Sequence, residues 1–146
     1  MNVTPMIVKL REELVPDALA GVEPCDDIND AIALLKNNKA SSFVSFTSEG
    51  ASPNTAGTGI TSQRVEYRFL VILGVAGAGL KNLAKGAGME GLRDQVRDTL
   101  VGWTPQDAVE PIILRSSRVL LKDLDAALLF FGIEFSTAYY LRRNET

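Results

Sequence analysis

Two stretches of this sequence alternate apolar residues for longer than a small domain is wide. From Gln63 to Ala76, Val65, Tyr67, Phe69, Val71, Leu73 and Val75 fall on every second position, and from Ala127 to Arg142 so do Leu129, Phe131, Ile133, Phe135, Tyr139 and Leu141. A period of two is the signature of a strand. At ~3.3 Å per residue, runs of about 14 to 16 residues reach ~45 to 50 Å. A domain of this length has a radius of gyration of only ~15 Å. Strands of this kind bend sharply or project, and a projecting sheet with apolar side chains calls for a partner. In the first run Arg64, Glu66 and Arg68 face away from the apolar set, and Leu70 and Ile72 then turn that second face apolar as well. The strand therefore enters from solvent and becomes buried on both sides.

The remaining segments supply helices and shorter strands. Thr4-Pro5 opens a helix with an N-cap hydroxyl and a first-turn proline; Ile7, Leu10 and Leu14 share one face, and the helix ends near Val15-Pro16. Asp27 caps a second helix with a stripe of Ile28, Ala31, Ile32 and Leu35, closed by Asn37-Asn38. Ser41 to Ser48 reads as a short strand. Glu49 to Ser62 has no apolar period and is longer than most loops, which marks it as disordered or functional. Gly74 to Gly79 breaks the long strand. A third helix spans about Gly88 to Gly102, with Leu92, Val96, Leu100 and Trp103 inward and Arg93, Asp94, Arg97 and Asp98 outward. Thr104 to Asp107 suggests a helical turn, and Ile112 to Leu121 and Ala127 to Arg142 form a hairpin across Lys122 to Asp125. The order predicts one α+β domain over residues 1–146, an antiparallel sheet with long strands and helices packed on one face.

Composition narrows the chemistry. There is no histidine and one cysteine, Cys25, which removes an intrachain disulfide, Ser-His-Asp and Cys-His catalysis, and imidazole zinc sites. A formal charge of −3 argues against nonspecific attraction to nucleic acid or an anionic membrane. No leader or membrane span is read from the apolar pattern, so a soluble chain made in the cytoplasm is expected. Gly74, Gly77, Gly79 and Lys81 have neither Walker nor dinucleotide spacing. Asp26, Asp27 and Asp30 sit where a helix is capped and lack the further oxygen ligands of a calcium loop. Asp94 and Asp98 lie beside Arg93 and Arg97 as on a solvated helix face, and Asp123 and Asp125 are turn residues. Glu134 is positioned to pair with Arg68 or Arg115 across the sheet. Acidic neighbours disfavour a thiolate at Cys25. No cofactor or metal is expected.

The tract Leu92-Arg93-Asp94-Gln95-Val96-Arg97-Asp98-Thr99-Leu100, then Gly102-Trp103-Thr104-Pro105, Pro111-Ile112, Arg115-Ser116, and Leu129 through Phe135-Ser136-Thr137-Ala138-Tyr139 with Leu141-Arg142, resembles the tail terminator proteins of long-tailed bacteriophages and phage-like contractile particles. The likeness runs from about Gln63 onward. It implies a structural virion protein of the tail or neck, without catalytic residues, that forms a homohexameric ring at the head-proximal end of the tail tube. The ring halts tube polymerisation and presents a surface to the connector or head. Implied partners are further copies of the chain, the tail tube protein, the connector or neck protein and, in a contractile tail, the sheath; no membrane or sequence-specific nucleic acid is among them. The expected contact elements are the 49–62 loop and the two long strands. Candidate interaction residues are Glu49, Gly50, Ser52, Asn54, Thr55, Thr58, Thr61, Arg64, Arg68, Arg142 and Arg143. Three alternatives stay open: a neck or head-completion protein, a ligand-binding α+β module using Gly74 to Gly79, and a carboxylate enzyme centred on Glu134 or the aspartates.

Overall fold

The computed structural model describes residues 1–35, 39–54, 59–85 and 88–144. In chain order the elements are α1 (Thr4–Leu14), β1 (Val22–Pro24), α2 (Ile28–Leu34), β2 (Ser41–Ala51), β3 (Ile60–Ala76), α3 (Ala78–Lys85), α4 (Gly88–Leu100), β4 (Glu110–Asp123) and β5 (Leu128–Asn144). The strands form one sheet in the order β1-β2-β3-β5-β4, antiparallel except for β1 beside β2. The α+β expectation holds. The two alternating runs are its long central strands, 17 residues each. They pair without a register shift from Ile60 opposite Asn144 to Ala76 opposite Leu128.

Period-two alternation gives this sheet two different faces. On one, Val44, Tyr67, Phe69, Val71, Leu73, Val75, Ile133 and Phe135 form the main core with Met6, Ile7, Leu10 and Leu14 of α1 and Leu92, Val96 and Leu100 of α4; Leu80 and Leu83 of α3 pack against it. On the other, Phe43, Ile72 and Phe130 meet Ala31, Ile28 and Ile32 of α2. Helices on one face therefore describes α1, α3 and α4, while α2 lies over the opposite face. The alternation of Ile72 with Val71 and Leu73 placed apolar residues on both sides, and α2 covers the second side.

Local chemistry explains several boundaries. Asp27 caps α2 as expected, its Oδ1 accepting the Asp30 N–H at 2.9 Å. Thr4 is not a cap: Val3 holds that position, and Asn2 Oδ1 accepts the Thr4 N–H at 3.0 Å. The hydroxyl signal lay one residue inside the helix. The expected break at Gly74 to Gly79 is a tight hinge at Gly77, with φ 56°, from which β3 passes into α3. The strand-loop boundaries expected around Glu49 to Ser62 are overturned, because β2 continues to Ala51 and β3 starts at Ile60. Neighbour pairing overrode the weak strand propensity of Glu49, Gly50 and Ala51. The connection shrinks to residues 52–59, and of it Thr55 to Thr58 lie outside the described residues, as does the expected Asn37-Asn38 helix end. Thr104 to Asp107 makes a turn with Asp107 at φ 72° and no helix. The β4–β5 hairpin turns through 124–127, with Asp123 Oδ1 accepting the Ala126 N–H at 3.0 Å. No helix of the described residues is long and apolar enough to cross a membrane.

Candidate assembly surface

The end of the sheet at Ala51 and Ile60 is distal; the end at Gly74 and Ala76 is proximal. Because α2 covers the second face only around Phe43, Ile72 and Phe130, the distal half of that face is open and charged. Arg64, Glu66 and Arg68 alternate along β3 there, and the register brings β4 and β5 residues beside them. Arg64 grips Glu110 through two bonds, Nε to Oε2 at 2.5 Å and Nη2 to Oε1 at 2.7 Å. Arg68 donates to Glu66 at 2.6 Å and lies 3.5 Å from Glu134; Arg115 reaches Glu66 at 3.2 Å. Glu134 thus pairs with Arg68 as expected, while Arg115 pairs elsewhere.

Electrostatics follow from these contacts. The hydrogen bond from Arg64 holds the Glu110 carboxyl below its ordinary range, and that from Arg68 does the same for Glu66. Arg64 and Arg68 are pushed up in turn by their carboxylate partners. The network fixes the orientation of side chains on an exposed sheet. The guanidinium-to-carboxylate fork of Arg64 and Glu110 ties β3 to edge strand β4, which are not neighbours in the sheet.

The helix-covered face ends distally in an aromatic series. Phe135 and Phe69 stack with centroids 5.5 Å apart, Tyr67 follows at 6.3 Å, and Phe46 lies 5.3 Å beyond it. The first three are buried, but Phe46 is 52% exposed. Burial, then the neighbouring Glu49 carboxylate, pushes the Tyr67 hydroxyl up to about 12. Tyr139 donates to Glu49 Oε1 at 2.9 Å, and its own pKa is raised, first by burial.

Most of the sequence-derived candidates gather at this distal end. Glu49 and Gly50 lie on β2 opposite Tyr67 and Glu66. Ser52 donates its N–H to the Arg64 carbonyl at 2.8 Å, and Asn54 Oδ1 accepts the Ser62 N–H at 2.8 Å. Thr61 is paired with Arg143, and Ser62 with Arg142. The Arg142 guanidinium stacks over Tyr140, 5.0 Å from its ring centroid. Arg64 and Arg68 belong to the ion network, and Thr55 and Thr58 lie outside the described residues. Glu110, Arg115 and Phe46 were missed as candidate contacts. The Arg64-Glu66-Arg68 alternation announced a charged face, but Glu110 enters it only through strand register.

Concave spaces lie elsewhere. One of about 240 Å³ sits between Lys39, Gly79, Asn82 and Gln95, below the usual size of small-molecule sites, and one of about 450 Å³ sits beside Cys25, Asp26, Asp30 and Phe46. Among the described residues no group of histidine, cysteine or acidic side chains is arranged to hold a metal. Burial followed by Asp30, Asp27 and Asp26 raises the Cys25 thiol to about 11.

A sheet whose central strands outrun its helical layer and end in a preset charged and aromatic surface belongs to an α+β assembly subunit. The profile of the phage tail terminator protein family matches residues 1–146, and the chain belongs to that family. It is a structural component of phage-type virion tails. Among solved structures, a chain in the virion of a native gene transfer agent particle shares the fold, with a TM-score of 0.57 and 16% identity over 94% of this chain and 92% of that one. No curated protein matches.

Proposed function

We propose that the chain acts as one tail-terminator domain over residues 1–146 and assembles into a six-membered ring on the head-proximal end of the tail tube. The ring occupies the surface on which the tube would otherwise grow and offers the connector or neck protein a chemically different one. The observation that carries this reading is the distal half of the β2-β3-β5 arm, with one face left open by α2 and fixed by the Arg64–Glu110 and Arg68–Glu66 pairs. Side chains already held in place lose less entropy on docking. The 49–52 and 61–68 stretches, with Arg142 and Arg143, form the contact region for tube or connector. In a contractile tail the sheath is a further neighbour.

Imaging of tubes assembled with the purified chain tests this reading. Sixfold density at one end of length-limited tubes is expected. Tubes that keep elongating in the presence of excess protein, or an end density of another symmetry, would defeat it. A second reading, a neck or head-completion protein, would show the density on the isolated connector and none on tubes.

A further inference from the structure

The two lateral margins of the sheet carry opposite charge at the same height. Three hydrogen-bonded rows cross all five strands. One runs from Glu23 through Phe43, Ile72 and Gly132 to Arg118, and its neighbours end at Val22 and Val119 and at Pro24 and Ser117. Beyond β1 the chain presents Asp26, Asp27 and Asp30, and Ser45 hydrogen-bonds the Asp26 carbonyl at 3.1 Å. The row through Ser45 continues through Leu70 and Glu134 to Ser116, next to Arg115. One margin is therefore acidic where the other is basic.

These charges are mostly unspent within the subunit. Glu23 pairs with Arg11 at 3.2 Å and Arg115 with Glu66. Asp26, Asp27 and Asp30 have no lysine or arginine partner among the described residues, and Arg118 and Lys122 have no carboxylate partner there. Two of these carboxylates serve the local backbone: Asp27 caps α2, and Asp30 accepts the Asp26 N–H at 3.1 Å. Exposed Ile113, Leu114 and Val119 accompany the basic side chains on β4.

We infer that copies of this chain associate margin to margin, the acidic β1–α2 margin of one against the basic β4 margin of the next. The contact is heterologous, as a closed ring requires, and neighbours in a cyclic ring are related by rotation without a rise. With strands running along the ring axis, the two ends of one row meet, so Glu23 and Asp26 of one copy face Arg118 and Arg115 of the next. Neither margin is fit to extend the sheet through backbone bonds. Pro24 lacks an N–H, Arg11 occupies the Val22 carbonyl at 2.8 Å, and the β4 ladder shifts register three times. Side-chain charge and the β4 apolar residues carry the contact instead. The inference deepens the ring reading, from which it takes the second copy as partner.

Charge reversal on the full chain tests it, read by sedimentation at low salt and by imaging on tail tubes. Both target residues are exposed, and a retained melting temperature verifies folding. Arg118→Glu or Glu23→Lys alone is expected to weaken association on the order of tenfold or more, because like charges then face each other. Both changes in one chain restore it to within about threefold of wild type, since every interface regains complementarity. A single reversal without effect, or a double variant as defective as the singles, would overturn the inference while wild-type rings on tubes left the ring reading standing. Open chains of copies that show the same rescue would uphold the margin contact and sink the ring. Normal self-association with lost tube binding would assign the basic margin to the tube, against the inference.

Discussion

Gly74 lies directly beneath the ring of Phe130. The two are paired across β3 and β5, and a Cβ at position 74 would sit 2.5 Å from Phe130 Cε1. Phe130 is fully buried against Phe43 and Ile72, so its ring has little room to retreat. Glycine weakens a strand interior, yet here it makes the space that lets an aromatic side chain close the second core. Gly74→Ala is expected to lower stability by ~1 to 3 kcal/mol in chemical denaturation, and pairing it with Phe130→Leu should recover part of the loss. A more stable Gly74→Ala protein would mean that the ring yields freely.

The inward face of α4 gives a second expectation. Leu100→Ala should cost ~2 to 5 kcal/mol and Arg93→Ala well under ~1, with Val96→Ala between them. Arg97 departs from the solvated role read from the sequence. It is half-buried, donates to Ser117 Oγ at 2.6 Å and leaves its Nε buried with no partner among the described residues. Arg97→Met keeps the packed stem and removes the unpaired donor, so it should cost less than Arg97→Ala in the same denaturation series. The reverse order would show that the Ser117 bond outweighs the stem.

Acid should loosen the tie between β3 and β4. Glu110 titrates lower in the folded chain than its ordinary 4.5 because Arg64 binds the charged form. The resulting stability is present above that ordinary value and is lost as pH falls through the lower folded one. For so exposed a pair the contribution is about 1 kcal/mol or less. Glu110→Gln should accordingly flatten the decline of stability below about pH 4.5 and change little at neutral pH; an unchanged acid limb would remove Arg64–Glu110 from the account.

Cys25 should be a slow thiol. Its ordinary value of 9.0 rises to about 11 through burial and the nearby aspartates, so at pH 8 the folded chain holds less thiolate than an unfolded one. Alkylation in native buffer should run far slower than in denaturant. By the same linkage its contribution to stability is intact below 9.0 and fades as pH rises towards 11. Equal alkylation rates in the two conditions would place the thiol in solvent.

Much of the sheet was legible because period-two alternation is a local property. Val65 to Val75 and Leu129 to Leu141 announced their strands and inward faces, and Leu92, Val96 and Leu100 announced α4. The Glu134–Arg68 pairing was legible as a need for a partner on one face. What escaped was set by neighbours. β1 has three residues and one of them is Pro24, so no periodicity can develop. α3 sits between glycines that read as breakers, and its Leu80 and Leu83 acquire meaning only against the core. Glu49 to Ala51 are drawn into β2 by Tyr67, Glu66 and Val65 opposite them. Glu110 joins Arg64 across 46 positions of sequence, a distance over which no spacing rule speaks.

The uninterrupted β3–β5 ladder also sets an order of events during synthesis. Ala76 waits for Leu128 and Ile60 for Asn144, with two helices and an entire strand made in between. Until β5 emerges, β3 can pair only with β2 and carries Phe69, Val71 and Leu73 along an unfinished edge. Closing so distant a contact is slow, and an apolar strand left waiting invites capture by a neighbouring chain. The long arm that equips the finished subunit is thus its point of greatest exposure on the ribosome, where a nascent chain stalled before Leu128 would be a substrate for chaperones.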